Sequence, residues 1–225
     1  IDRDSVFEAD ACVVGSGAGG GVVAARLANA GMRVVVLEAG PPDQAADFDQ
    51  REIIGMQRLY LDRGTTATRD LGAAILAGRC IGGGTAVNWQ TSLRLPDYIR
   101  DEWSDRSGVR AFSERAFDDA LDAVCARLHV GTSESVRNGN NDPLERGSTA
   151  LGYRWMNIPR NALRCGPAQG GFCTFGCRHG GKQATSNTYL VDAQRSGDVV
   201  ILPYCRATRV RIVPGRAAGV EAEGF

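Results

Sequence analysis

The sequence predicts an α/β fold built on a parallel strand–helix–strand unit, on three observations. Residues 9–15 (ADACVVG) are a short apolar run of the kind a parallel strand buried on both faces shows. A glycine-rich turn, 15–21, follows at once and opens residues 22–30 (VVAARLANA), helix-favouring in composition and closed by Gly31 as a C-cap. Residues 32–37 (MRVVVL) are a second apolar run, ending at Glu38. A βαβ unit of roughly thirty residues results, and its two strands are expected to be parallel neighbours.

The remaining elements follow in order. Residues 41–70, opened by Pro41-Pro42, read as irregular, and 73–88 (AAILAGRCIGGGTAVN) as strand, loop and the start of a short helix. Residues 113–128 form an amphipathic helix with Ser113 as N-cap and Phe117, Leu121, Val124 and Leu128 along one face. The polar stretch 131–147 reads as a surface loop, and a helix begins within 185–193. Short strands are expected at 199–202, 206–213 and 218–222, the last two as a hairpin around Pro214-Gly215.

Composition narrows the function. With 225 residues, 43% apolar and 23% charged, the chain suits a folded domain and not a disordered one. Twenty-six basic residues balance 26 acidic ones, which argues against nucleic acid as a partner. Of the basic residues only Lys182 is lysine, a skew expected from a GC-rich genome. No run of 18 apolar residues marks a membrane span, and residues 1–10 are polar and lack a secretory signal. A cytoplasmic location is the expectation, with membrane association of a longer protein left open. Seven scattered cysteines do not form a disulfide framework.

Gly15, Gly17 and Gly20 spell G-x-G-x-x-G. The first allows a tight exit from the strand, the second a close approach to a pyrophosphate, the third close packing of helix on strand. Free N–H groups and the positive end of the helix then face the phosphates. Glu38, eighteen residues beyond Gly20, stands where a carboxylate accepts from both ribose hydroxyls and repels a 2′-phosphate. The motif in this setting is a Rossmann-like dinucleotide site for FAD or NAD.

Residues 78–89 (GRCIGGGTAVNW) resemble the second flavin-contacting segment of the glucose–methanol–choline (GMC) oxidoreductases, G-R-x-x-G-G-G/S-S/T-x-x-N. Pro96-Asp97-Tyr98 with Trp103, and the returning segment that ends in Gly219-Val220, are similar to further elements of that family in the same order. Within it the likeness is strongest to the long-chain (fatty) alcohol oxidases, through residues 82–89, 170–193 and 201–210. The resemblance implies a partial FAD/NAD(P)-binding fold with an α+β insertion. The FAD-binding domain would run over 6–95 and 185–225, with an insertion at 96–184. It also implies that the chain is part of a longer one, about half of what the family needs.

The resemblance implies FAD as cofactor and oxidation of an alcohol to the aldehyde, with oxygen or another electron acceptor. Gly15, Gly17, Gly20 and Glu38 would hold the ADP half. Arg79, Gly82, Gly83 and Thr85 would line the pyrophosphate and ribityl chain, Asn88 would approach the flavin ring, and the Ala207 backbone would face the adenine. Val87 stands where some relatives attach FAD through a histidine, so non-covalent FAD is expected. The family's catalytic histidine lies in a C-terminal half, and neither His129 nor His179 stands in a matching motif. A sugar-type flavin dehydrogenase with an iron–sulfur cluster and a non-catalytic nucleotide-binding fragment are the alternatives. Cys165, Cys173 and Cys177, spaced C-x7-C-x3-C, bear on the first of these. They suit a three-iron cluster, zinc with the help of His179, or free thiols without a metal, the last being the expectation.

Overall fold

The computed structural model describes residues 4–135, 138–166 and 171–225. Residues 1–3 of the polar N-terminus, 136–137 of the expected loop and 167–170 of the cysteine-rich stretch lie outside the described residues. The chain divides into two compact units, Ile1–Trp89 with Gly171–Phe225, and Gln90–Gly170.

The first unit carries the βαβ motif. Strand β1 (Ala11–Val14), helix α1 (Ala18–Asn29) and β2 (Val34–Leu37) follow one another, and β5 (Val199–Leu202) completes a parallel sheet in the order β1-β2-β5. Registers run Val13↔Val36 and Val36↔Ile201. Central β2 is the fully buried strand. β1, expected to be buried, pairs on one side only in this sheet; Val13 is buried while Val14 is 57% exposed. Gly31 ends α1 in a left-handed turn, its N–H donating to Ala28 O at 2.9 Å.

Alternation along the strands divides the core. Val13, Val34 and Val36 meet Ala24 of α1 and Leu190 of α7 (Tyr189–Ser196). Val35 and Leu37 point the other way, toward Cys205 with Ala207 and Val220 of the antiparallel hairpin β6 (Cys205–Val213) and β7 (Arg216–Gly224). Helices thus cover one face of the sheet and a hairpin the other. Small residues let the helices approach: Ala25, Ala28 and Ala193 share one cluster, all at most 2% exposed.

Residues 41–70 are less irregular than expected. They contain helix α2 (Glu52–Leu59), too short and too weakly patterned to announce itself. Tertiary contacts hold it: Arg58 donates two hydrogen bonds to the buried Asp43 carboxylate, and Gly55 makes room for the Phe175 ring. Helix α3 (Gly84–Val87) follows the second glycine segment. Residues 171–184, expected on the insertion side, belong to the first unit; side chains at 60 and 182 bind them there, as detailed below.

The second unit holds α4 (Asp97–Ser107), α5 (Arg115–Arg127), α6 (Asn141–Ala150) and a two-residue antiparallel pair, β3 (Val130–Gly131) with β4 (Arg160–Asn161). Its organiser is Arg100, buried, which donates to Phe112 O at 2.8 Å and Asp118 Oδ1 at 2.7 Å and lies over the Phe117 ring. Phe117, Leu121 and Val124 are half-buried along α5 and Leu128 lies just past its end, but Ser113 does not cap the helix. The helix begins at Arg115 after Glu114, and the Ser113 hydroxyl donates to Arg110 O at 3.1 Å. Helix α6 replaces part of the expected loop at 131–147. Asn138 starts it by accepting from Asn140 N and Asn141 N, and its one large apolar side chain, Leu144, is exposed, so no apolar stripe betrays it. Among the described residues no helix is long and apolar enough to cross a membrane.

Candidate functional site

The turn between β1 and α1 closes this tightly because Gly20 has no side chain. Gly15 leaves β1 with its N–H on Leu37 O at 2.8 Å. A Cβ on Gly20 would stand 1.9 Å from Gly15 O, so the helix could not start this close to the strand with any other residue there. Gly17 precedes α1 and lies against Gly83, whose own Cβ would come within 3.0 Å of Gly17 Cα. Gly83 also has φ +50°, a conformation glycine adopts without strain. The two glycine segments therefore meet backbone to backbone.

One residue that sequence reasoning passed over ties the site together. Ser16 is fully buried, and its N–H and hydroxyl both donate to Glu38 Oε2, at 3.1 and 2.6 Å. Its Oγ accepts from Gly82 N at 3.0 Å, and its carbonyl accepts from the Thr185 hydroxyl at 2.9 Å. The other Glu38 oxygen accepts from Gly40 N at 2.9 Å. Thr85 completes the arrangement: its hydroxyl donates to Gly82 O at 2.6 Å and accepts from Thr185 N at 3.0 Å. Ser16 thus joins the fingerprint, the acid and the second segment, over sequence separations of 22 and 66 residues. A signal for Thr185 existed, since it ends the KQAT stretch within the segment that carries the family likeness.

The structure brings Gly15, Gly17, Gly20, Glu38, Gly82, Gly83 and Thr85 into one place. Arg79 sits beside them, its carbonyl against Gly40 and its guanidinium over the Phe225 ring at 5.0 Å. Asn88 ends α3 and is exposed. Ala207 lies in β6 opposite Ala222, where the register shifts before Arg209. The cysteine trio is divided between the units. Cys165 belongs to the second, its N–H on Glu134 Oε2 at 2.6 Å, while Cys173 and Cys177 belong to the first. Among the described residues no group of three or more His, Cys, Asp or Glu is placed to hold a metal ion. His129 and His179 are both exposed.

Two weakly acidic groups are buried together here, Cys80 of the second segment and Tyr60 packed in the same cluster. Burial, and then the nearby Glu38 and Asp43 charges, push the Cys80 thiol up to about 12; burial likewise pushes Tyr60 up to about 12. A raised folded-state pKa gives stability that is complete below the ordinary value of 9.0 and is lost as pH climbs toward the folded value. The thermal midpoint is therefore expected to fall across that alkaline window, and to fall less steeply in Cys80→Ala. Equal slopes for wild type and variant would refute the assignment.

An open glycine floor, two segments interlocked at a helix start and a carboxylate at the end of the second strand define a dinucleotide-binding α/β protein. Comparison with known proteins makes this specific. Residues 56–224 match the GMC oxidoreductase family model, and residues 13–42 that of the NAD(P)-binding Rossmann-like domain. The chain belongs to the GMC oxidoreductase family. It is 41% identical over 206 residues to a long-chain-alcohol oxidase of Arabidopsis thaliana, covering 91% of this chain and 28% of the relative. An uncharacterized GMC-type oxidoreductase of Mycobacterium tuberculosis is 35% identical, covering 98% and 35%. Among solved structures, pyridoxine 4-oxidase from Mesorbium loti shares the fold with a TM-score of 0.67 at 18% identity, over 96% of this chain and 46% of that one. The chain thus spans under a third of the plant relative.

The family's cofactor is FAD, and the residues present fit it. Side chains added at Gly15, Gly19 or Gly84 would meet nothing within 4 Å, so the backbone there is open to a close-lying pyrophosphate.

Proposed function

We propose that this chain supplies the FAD-binding part of an enzyme that oxidises a long-chain alcohol to its aldehyde, with oxygen as the electron acceptor. The interlock of fingerprint, Glu38 and second segment through Ser16 is the observation that carries the FAD half of this reading. The 41% identity to plant long-chain-alcohol oxidases supports the substrate class.

FAD, when bound, supplies the hydride acceptor at its N5 position. The chain's own residues bind and orient it. Glu38 already accepts three hydrogen bonds from protein donors, and a carboxylate offers about four acceptor positions, so one remains for the adenosine ribose. Gly15, Gly17 and Gly20 let the backbone donate to the pyrophosphate. Gly82, Gly83 and Thr85, with Arg79 beside them, would line its continuation, Asn88 would approach the ring end, and the Ala207 backbone would face the adenine. A general base must take the hydroxyl proton. With both histidines of this chain exposed and outside any matching motif, we place that base in the part of the longer relatives that this chain does not span.

The test is the full-length gene product, mixed with primary alcohols of graded length under oxygen and, separately, under a dye acceptor. Anaerobic bleaching of the flavin by long-chain alcohols, with slower bleaching by short ones, is expected. A protein that binds FAD but is reduced by no alcohol would overturn the substrate assignment.

A second expectation concerns attachment. Val87 is buried, and its carbonyl lies 3.3 Å from the Tyr60 hydroxyl. Valine offers no atom for a flavin bond, so acid precipitation should release all the yellow colour to the supernatant. Flavin retained in the pellet would contradict this.

A further inference from the structure

Lys182 is the one lysine among 26 basic residues, and it is 2% exposed. Everywhere else this chain meets a need for positive charge with arginine. At 182 the ammonium donates to three carbonyl oxygens: Ala86 at 2.9 Å, Asn88 at 2.6 Å and Cys173 at 2.7 Å. A buried cation is costly unless all its donors are met, and an ammonium has three. Three acceptors converging on one atom suit a compact tetrahedral head. A planar guanidinium cannot aim three bonds that way, so arginine would not substitute.

The carbonyls it takes are not arbitrary. Ala86 lies in the last turn of α3 and Asn88 ends it, and the final carbonyls of a helix lack partners within the helix. The intervening carbonyl, of Val87, lies 3.3 Å from the Tyr60 hydroxyl, whose single proton it shares with the nearer Thr174 O at 2.8 Å. Three successive carbonyls, 86 to 88, are thus met by two buried side chains, and each side chain also takes one carbonyl of 173–174. The backbone that presents Asn88 is fixed to the cysteine-bearing loop by a charge.

We propose that Lys182 is a positioning residue for the flavin end of the cofactor site. It fixes peptide 86–88, and with it the exposed Asn88 side chain, while the ADP end is held separately by the Ser16–Glu38 arrangement. The inference rests on the proposed FAD site and adds to it a division of labour. Loss of Lys182 should disturb the flavin ring and spare the adenine nucleotide.

The experiment uses the full-length protein with Lys182→Met and Lys182→Arg. FAD affinity should fall about tenfold or more in both, which corresponds to ~1.4 kcal/mol. The visible circular dichroism of the bound flavin should change, and ADP affinity of the apoprotein should stay within about twofold. Lys182→Ala, prepared with n-propylammonium present, guards against misfolding of the longer variants. The small amine should restore the flavin dichroism, and ethylguanidinium should not. Unchanged FAD affinity and dichroism in Lys182→Met would overturn the proposal, as would full function in Lys182→Arg. A parallel loss of ADP binding would also overturn it, since that marks general damage. If the wild type itself takes up no FAD, the functional reading fails along with the proposal. If the wild type binds FAD and Lys182→Met matches it, only the role of Lys182 fails.

Discussion

Glu38→Ala is expected to weaken the protein as well as its hold on FAD. Glu38 is 6% exposed, and its carboxylate accepts from Ser16 N, the Ser16 hydroxyl and Gly40 N. Removal leaves two backbone N–H groups without an acceptor. The hydroxyl has a weak alternative in Cys80 O at 3.4 Å. An orphaned buried donor costs about 1–3 kcal/mol, so with two of them the cofactor-free protein should lose about 2–6 kcal/mol of stability. FAD affinity should fall by a further ~1.5–3 kcal/mol, because a charge-assisted acceptor for the ribose is gone. Glu38→Gln should not rescue. Both carboxylate oxygens accept from protein N–H groups, and an amide NH2 in either place sets donor against donor. Chemical denaturation of the apoprotein and FAD retention on ultrafiltration separate the two effects. Unchanged denaturation midpoints alongside weaker FAD binding would show that Glu38 serves the cofactor alone.

This double role was half legible in the sequence. Spacing from the fingerprint singles out Glu38 because strand, turn, helix and strand are local and their lengths bring the acid to the end of β2. Ser16 sits in the same fingerprint yet carries no signal, since nothing local says that a serine between two glycines will be buried. Its partners Gly82 and Thr185 lie 66 and 169 residues away. The same limit explains Tyr60 and Lys182. A lone lysine in an arginine-rich chain reads as codon usage until three carbonyls are seen around it. Strands β2 and β5 and the hairpin at Pro214-Gly215 were readable from apolar runs and turn residues. Helices α2 and α6 were not, because one is short and held by Asp43 and Phe175, and the other carries a single large apolar residue, Leu144, and so has no stripe to pattern.

Gly20→Ala is expected to destabilise the first unit severely, because no side chain fits between the start of α1 and the turn that precedes it. The added carbon would lie 1.9 Å from Gly15 O and 3.3 Å from Val13 Cγ1. The first neighbour is backbone, and it belongs to a residue whose N–H is committed to Leu37 O at 2.8 Å. Relief requires α1 to move off β1, which opens the cluster of Val13, Ala24, Val34 and Val36 beneath it. We expect a loss of about 4 kcal/mol or more, a large part of the ~5–15 kcal/mol that holds an ordinary domain. The control is one residue away. Gly19 also lies in α1, but a Cβ there meets nothing within 4 Å and its φ is not positive. Gly19→Ala should therefore follow helix propensity and stabilise the cofactor-free protein by up to ~1 kcal/mol. Opposite signs at adjacent glycines distinguish the packing argument from a general intolerance of the turn. Melting of the two apoproteins by circular dichroism reads this directly, and a Gly20→Ala protein that melts with wild-type cooperativity would overturn the geometry of the turn.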